Sequence, residues 1–270
     1  MVIEKIKYFI LTKFNQDFDF PENAKRTNKN VSPEWLELRF DIFRKYCLPS
    51  VMNQTNKNFS WLVFFSHNTP DYFKEMILEF HSCFNNFIPI FSEFGAFKLQ
   101  PYLDVLTDYV DPSINWLITT RLDCDDCLNK NFVQFVFDSL KFDKENYFIN
   151  FLKGLQYDIV NKLVVKRYEK SNSFLTRVEN IDSMRFKTVF ELTSHKSASD
   201  LNVIVDKNFP NMWLQIIHDD NLLNRIAVKS NPFVDPNFVQ NIFSFTPDPG
   251  FSIKDNLRNF MSNFLKHLKL

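Results

Sequence analysis

The chain has 270 residues, enough for one large domain or two small ones, and its 45% apolar and 24% charged content is ordinary for a globular protein. Thirty-two basic residues balance thirty-two acidic ones, so no broad cationic field invites nucleic acid. Its three glycines, Gly95, Gly154 and Gly250, lie too far apart for a dinucleotide fingerprint or a Walker loop, which leaves a metal, aided by Arg or Lys, to neutralise the phosphates of any bound nucleotide.

Strand and helix patterns alternate through the first half. Lys7 to Thr12 reads as a strand and leads into a polar loop to about Asn30. Ser32-Pro33 then opens a helix, with Ser as N-cap and Pro in the first turn. Its apolar positions from Trp35 to Tyr46 keep helical spacing, and it is expected to end before Pro49. Phe59 to Phe65 is apolar nearly throughout, as a strand covered on both faces should be. A helix from Thr69-Pro70 to about Cys83, a short strand from Phe87 to Phe91 and a helix from Lys98 to Tyr109 follow. Asn115 to Thr120 reads as a strand and Asn129 to Leu140 as a helix.

The second half is less regular. Tyr147 to Leu152, Leu163 to Tyr168 and Lys187 to Leu192 read as strands, and Met212 to Ile217 as a buried strand or helix. Phe251 to Leu270 is a basic amphipathic helix, expected to pack on its own domain, with a membrane surface as the second reading. The N-terminus has no signal-peptide pattern, and no run of about 18 apolar residues exists to span a bilayer. A cytoplasmic location is therefore expected, at the inner face of the membrane if the tail touches lipid. The alternation in the first half predicts an α/β fold with a mainly parallel sheet and helices on both faces.

The segment Thr119-Thr-Arg-Leu-Asp-Cys-Asp-Asp126 concentrates the chemistry. An apolar strand ends in Arg121 and in three carboxylates, Asp123, Asp125 and Asp126, spread over four positions. Like charges gathered this closely repel unless a cation or a substrate neutralises them. The carboxyl end of a strand in an open α/β sheet is also where ligands bind. Hard oxygen donors suit Mg²⁺ or Mn²⁺, so the segment implies a divalent-cation site holding an anionic substrate, most simply a diphosphate. A blander reading makes it an acidic cap for the helix expected from Asn129. Cys124 and Cys127 have redox-motif spacing, but Cys47 and Cys83 are remote and nothing nearby is thioredoxin-like, so free thiols are expected.

Alternating β/α units followed by a strand ending in Asp-x-Asp, with no glycine loop, resemble the GT-A type of nucleotide-sugar glycosyltransferase. The chain is most similar to the bacterial family named for rhamnosyl transfer. Three segments carry this resemblance: Arg39 through Cys47-Leu-Pro-Ser50 and Asn53-Gln-Thr55 to the strand Phe59 to Phe65; Thr119 to Asp126; and Trp213-Leu-Gln-Ile-Ile-His-Asp-Asp-Asn221 with Asn224-Arg225. Cys124 and Cys127 depart from it, standing where small residues are more usual.

The resemblance implies a GT-A-like Rossmann-type α/β/α sandwich, one catalytic domain over residues 1–250. Residues to about 128 would bind the nucleotide sugar, 129–250 the acceptor, and 251–270 would form the amphipathic helix. It implies a metal-dependent transfer of a sugar, rhamnose by the family's name, from a nucleoside diphosphate donor. The acceptor would be a hydroxyl of a glycan or lipid-linked glycan in capsule or lipopolysaccharide assembly.

It also assigns roles. Asp125 would bind Mn²⁺ or Mg²⁺ directly, and Asp123 would bind the metal or the donor's ribose and sugar hydroxyls. Asp126 would orient the sugar or support its neighbours, Arg121 would pair with the diphosphate or offset the carboxylates, and His218 would complete the metal shell. Thr12 and Asn15 follow the first strand, where the base is held, and Arg39 could contact it from the next helix. Asn221 and Arg225 would position donor or acceptor, and His195 could also reach the site. An acceptor base is drawn from Glu179, Asp219 and Asp220. Clustered carboxylates would equally serve a metal-dependent phosphohydrolase or nucleotidyltransferase, and a non-catalytic carbohydrate-binding module is the remaining alternative.

Overall fold

The computed structural model describes residues 5–16, 32–93, 99–170, 172–181, 185–191, 204–207, 209–218, 226, 232, 234–245 and 252–268. Within them the expected alternation forms a parallel sheet. β1 (Ile6–Lys13), β2 (Ser60–Ser66), β3 (Phe87–Ser92) and β4 (Trp116–Arg121) each lie within one residue of their expected limits. β1 pairs in parallel with β2 on one side and β4 on the other, and β3 extends the sheet beyond β2. Both faces are covered, so alternate side chains of β1 enter different cores. Tyr8 and Ile10 join the apolar cluster beneath the first helix, while Phe9 and Leu11 pack with Tyr102 and Leu106 of the helix at Gln100–Thr107.

That first helix, α1 (Pro33–Ile42), begins with the Ser32 hydroxyl accepting from the Trp35 amide at 3.4 Å. It does not stop before Pro49, as expected. The chain winds through a π-helical turn at Phe43–Cys47 directly into α2 (Leu48–Met52). The wider turn lets the Leu48 amide reach the Phe43 carbonyl five residues back, which leaves Pro49 in a fresh first turn where its missing N–H costs little. Phe40 stacks on Phe14 at 4.4 Å and on Phe73 of α3 (Asp71–Cys83) at 5.4 Å, fixing the rotation of α1 and with it the neighbouring Arg39.

The remaining elements, in chain order, are α4 (the helix at Gln100–Thr107), β5 (Cys127–Leu128), α5 (Phe132–Phe137), β6 (Asn146–Phe151), β7 (Lys153–Asp158), β8 (Leu163–Tyr168), β9 (Thr176–Asn180), β10 (Ile204–Lys207), β11 (Trp213–Ile217), α6 (Pro236–Phe243) and α7 (Ile253–Leu268). The main sheet runs β10-β6-β9-β4-β1-β2-β3, and within it only β9 is antiparallel to its neighbours. A second sheet runs β5-β11-β7-β8. It has its own apolar cluster, which includes Leu155, Tyr157, Leu214 and Ile216.

β7 is hidden in the sequence by Gly154. A Cβ there would fall 2.1 Å from the Trp213 indole, so the strand needs glycine for close approach rather than for flexibility. Gly154→Ala is expected to cost about 1–3 kcal/mol through displacement of Trp213, read as a lower denaturant midpoint at unchanged m-value; a midpoint equal to that of the native chain would contradict the contact.

Where Lys187 to Leu192 was expected to be a strand, Val189–Glu191 is a short 3-10 turn. The cause lies in Thr188, which adopts a left-handed φ of 62°, and in the Lys187 and Thr188 amides, which donate to the Glu179 carboxylate instead of to a strand. No helix of the described residues is long and apolar enough to cross a membrane.

Candidate active site

β4 delivers Arg121 to the carboxyl edge of the main sheet, and the chain then turns sharply, with the Asp126 amide donating to the Asp123 carbonyl at 3.1 Å. The turn leads straight into β5, which pairs antiparallel with β11 so that Leu214 lies opposite Cys127. Asp126 tightens this junction: its Oδ1 accepts from the Ile216 amide at 2.9 Å. His218, two residues further on, is thereby carried back over the acidic turn. A residue 93 positions away in sequence meets Asp125, with Nε2 3.0 Å from Oδ2.

Arg39 closes the group from α1. Its Nη1 donates to Asp125 Oδ2 at 3.1 Å and lies 3.2 Å from His218 Nε2, and Nη2 reaches Cys124 Sγ at 3.3 Å. The guanidinium also lies over the Trp35 ring at 5.3 Å. Asp125 and His218 are each only 7% exposed. Burial alone would raise the Asp125 carboxyl, but Arg39 and His218 outweigh it and hold it down at about 2. At Asp126 the Ile216 amide and Arg39 do not offset the opposing effects. Burial and the neighbouring Asp125 and Asp123 push it well above the usual carboxylate range, so it serves as the hydrogen-bonded prop of β11.

A second group lies on the adjacent strand ends. Arg121 donates through Nε and Nη2 to Asp123 Oδ1, both at 3.2 Å, so this arginine offsets a carboxylate. Lys13, at the end of β1, holds its ammonium 4.3 Å from the centres of the Tyr102 and Phe190 rings. Burial, and then Arg121, lowers it to about 8. Sequence reasoning passed over Lys13 in favour of its neighbours. The signal was the strand's period of two, which turns Lys13 to the opposite face from Thr12.

Thr12 and Asn15 point inward instead. Thr12 Oγ1 accepts from Trp61 Nε1 at 2.9 Å, while Asn15 accepts from the Ser66 amide and donates to Thr69 Oγ1. Both are fully buried and tie β1 to β2 and its following loop. Glu179 is likewise a buried structural anchor: besides the two amides it accepts from, it pairs with Arg177 at 3.3 Å. That leaves it poorly placed as an acceptor base. His195, Asp219, Asp220, Asn221 and Arg225 lie outside the described residues. Cys47, Cys124 and Cys127 are buried thiols, free as expected, and all are raised by burial, Cys124 to about 12, which disfavours the reactive thiolate.

The donor set bears on a metal. Octahedral Mg²⁺ with bonds of about 2.1 Å sets neighbouring donors about 3.0 Å apart. Asp125 Oδ2 and His218 Nε2 stand at that spacing. With Nε2 protonated the pair is a hydrogen bond, and with Nε2 bare both atoms are donors that a cation could bridge. Asp123, the third expected ligand, is instead engaged by Arg121, and among the described residues no group of three His, Cys, Asp or Glu side chains is arranged around one ion. Two protein donors still suit a cation whose other positions are filled by water and phosphate.

The chain thus sets an acidic turn at the end of the fourth strand of a mainly parallel sheet and returns a histidine to it. It belongs to the family described as "Putative rhamnosyl transferase", whose profile matches residues 7–230. No match is found among curated proteins. Similar solved structures include S. aureus TarS 1-349, at 10% identity and TM-score 0.43, covering 78% of this chain and 60% of that one. The same protein in complex with UDP-GlcNAc gives 9% and 0.45, covering 96% and 71%. A Bacillus anthracis protein described as a "Putative Glucose-1-Phosphate Thymidylyltransferase", in complex with a sucrose, gives 10% and 0.36, covering 77% and 88%.

Proposed function

We propose that this chain transfers a sugar from a nucleoside diphosphate donor to a glycan or lipid-linked glycan hydroxyl, with the donor's diphosphate at the Arg39–Asp125–His218 group. The observation that carries this reading is the meeting of Asp125 and His218 at 3.0 Å beneath a buried guanidinium. Mn²⁺ or Mg²⁺ held by that pair would stabilise the charge that develops on the leaving diphosphate. Arg39 offsets Asp125 before the donor arrives and is within reach of a phosphate afterwards. Lys13 and Arg121 add positive charge along the strand ends, and Asp126 keeps His218 in register through β11. Asp219 and Asp220, which directly follow His218 in sequence, remain our choices for the acceptor base, and His195, Asn221 and Arg225 for contacts to donor or acceptor. Rhamnose is proposed as the sugar from the family description, and surface polysaccharide, capsule or lipopolysaccharide, as the product.

The test is an assay of the full chain with a panel of nucleotide sugars and Mn²⁺. Release of nucleoside diphosphate only when a glycan acceptor is present supports transfer. Release without acceptor would mean hydrolysis, and formation of pyrophosphate from a nucleoside triphosphate and a sugar phosphate would mean nucleotidyl transfer. Lys13 supplies a pH signature. Because its ammonium is lowered to about 8 by burial and Arg121, it loses its charge as pH rises through that value. Donor affinity is expected to fall by up to about tenfold per pH unit there, and Lys13→Arg should flatten the profile. An unchanged profile would remove Lys13 from the donor site.

A further inference from the structure

The C-terminal helix docks on an unusual face. α7 has 16 residues, a length of about 24 Å, and it meets the body of the protein through asparagines. Asn256 Nδ2 donates to the Val164 carbonyl at 2.9 Å and to the Pro232 carbonyl at 2.6 Å, while its Oδ1 accepts from the Val164 amide at 2.7 Å. The side-chain amide thus caps the outer edge of β8 in the way a further strand would. Asn259 donates to the Lys162 carbonyl at 2.9 Å, and Asn263 is buried on the same line of the helix, spaced three and four residues along.

The apolar line of α7 points elsewhere, roughly a third of a turn away at about 100° per residue. Ile253, Met261 and Leu265 are 45%, 54% and 50% exposed. Phe260 and Phe264 stack on each other at 6.3 Å, and among the described residues no side chain of α7 joins the three buried apolar clusters. An ordinary surface helix buries its apolar stripe and shows its polar face. This one docks through asparagines, leaving Ile253, Met261 and Leu265 exposed and Leu257, Phe260 and Phe264 half-buried.

The charge beside the stripe says what would cover it. Lys254 and Arg258 are exposed on the same side as Met261 and Leu265. The helical segment also contains Lys266, and Lys269 follows it, against a single acid, Asp255, which is held by Ser252 and Arg258. Apolar side chains flanked by cations match the boundary of a bilayer with anionic headgroups better than the apolar groove of another protein. The segment is far too polar to cross the bilayer. We infer that α7 lays this stripe onto an anionic membrane surface and so holds the enzyme at the bilayer. The family profile ends at residue 230, so α7 is outside the part it matches.

The experiment is co-sedimentation of the full chain with vesicles of phosphatidylcholine alone or mixed with phosphatidylglycerol. The native chain should pellet with the anionic vesicles and much less with the neutral ones. Met261→Glu/Leu265→Glu should lower the partition by about tenfold or more, and Lys254→Glu/Arg258→Glu should abolish the preference for phosphatidylglycerol. Both pairs are solvent-facing, so an unchanged melting temperature serves as the control for folding. A native chain that stays in the supernatant, or an apolar-site variant that pellets equally well, overturns the inference. So does a native dimer that Met261→Glu/Leu265→Glu converts to a monomer without any vesicle binding, which would make the stripe a self-association face.

Discussion

Asp125→Asn is expected to lower sugar transfer at saturating donor by about a hundred- to a thousandfold, the range seen when one preorganised charged group is lost from a transition state. Asparagine keeps the volume and one acceptor oxygen but no longer offsets Arg39 or grips a cation. The same change has a stability signature. The native carboxyl is held at about 2 against an ordinary 3.8, since Arg39 and His218 overcome the effect of burial. A depressed carboxyl stabilises the fold above its unfolded value, and that contribution is lost as pH falls toward 2. In chelator, Asp125→Asn should therefore be about 2 kcal/mol less stable than the native chain at neutral pH, with the gap closing below pH about 4. Denaturant titrations at several pH values check this. A gap that stays constant in acid would mean that Asp125 is not the ionised partner of Arg39.

Arg39→Met should separate the two uses of that pair. The methionine still fills the space against Trp35, but Asp125 and His218 are left facing each other without a positive charge. Breaking a buried ion pair from one side costs about 3–5 kcal/mol, so the metal-free variant should melt well below the native chain. A divalent cation no longer competes with the guanidinium, so Mn²⁺ affinity measured by calorimetry should rise roughly tenfold. Added Mn²⁺ should then recover part of the lost stability, while transfer stays about a hundredfold down. Mn²⁺ affinity equal to or lower than that of the native chain would show that Arg39 and the cation do not share these ligands.

Much of this was legible from the residues because local and tertiary demands agree. β1 to β4 are continuous apolar runs, the signature of strands covered on both faces, and Ser32-Pro33 announces α1 unambiguously. Asp125 and His218 could be paired in advance because like charges at a strand end require a counter-ion and the family resemblance pointed to a returning histidine. The misses have physical causes. Gly154 disguises β7 because its role is contact with Trp213, a partner 59 residues away that no local pattern reveals. Pro49 reads as a stop, yet a π-helical turn absorbs it. Glu179, expected among the candidate acceptor bases, and Thr12 and Asn15, expected where the nucleotide base is held, make tertiary hydrogen bonds to Thr188, Trp61 and Ser66 that no local pattern reveals. Arg39, expected to contact the base from α1, also pairs with Asp125, a partner 86 positions away that the residues alone do not reveal.

The most direct measurement is a thermal-shift titration of nucleoside diphosphates and nucleotide sugars with Mn²⁺, run in parallel on the native chain, Asp125→Asn and His218→Ala. The native chain should gain stability with at least one nucleotide, by about 2.7 kcal/mol at a hundredfold excess over its dissociation constant, and only when Mn²⁺ is present. Both variants should lose that metal-linked gain while remaining folded. Equal stabilisation of all three proteins, or a native response indifferent to Mn²⁺, would contradict a cation held by Asp125 and His218 against a diphosphate.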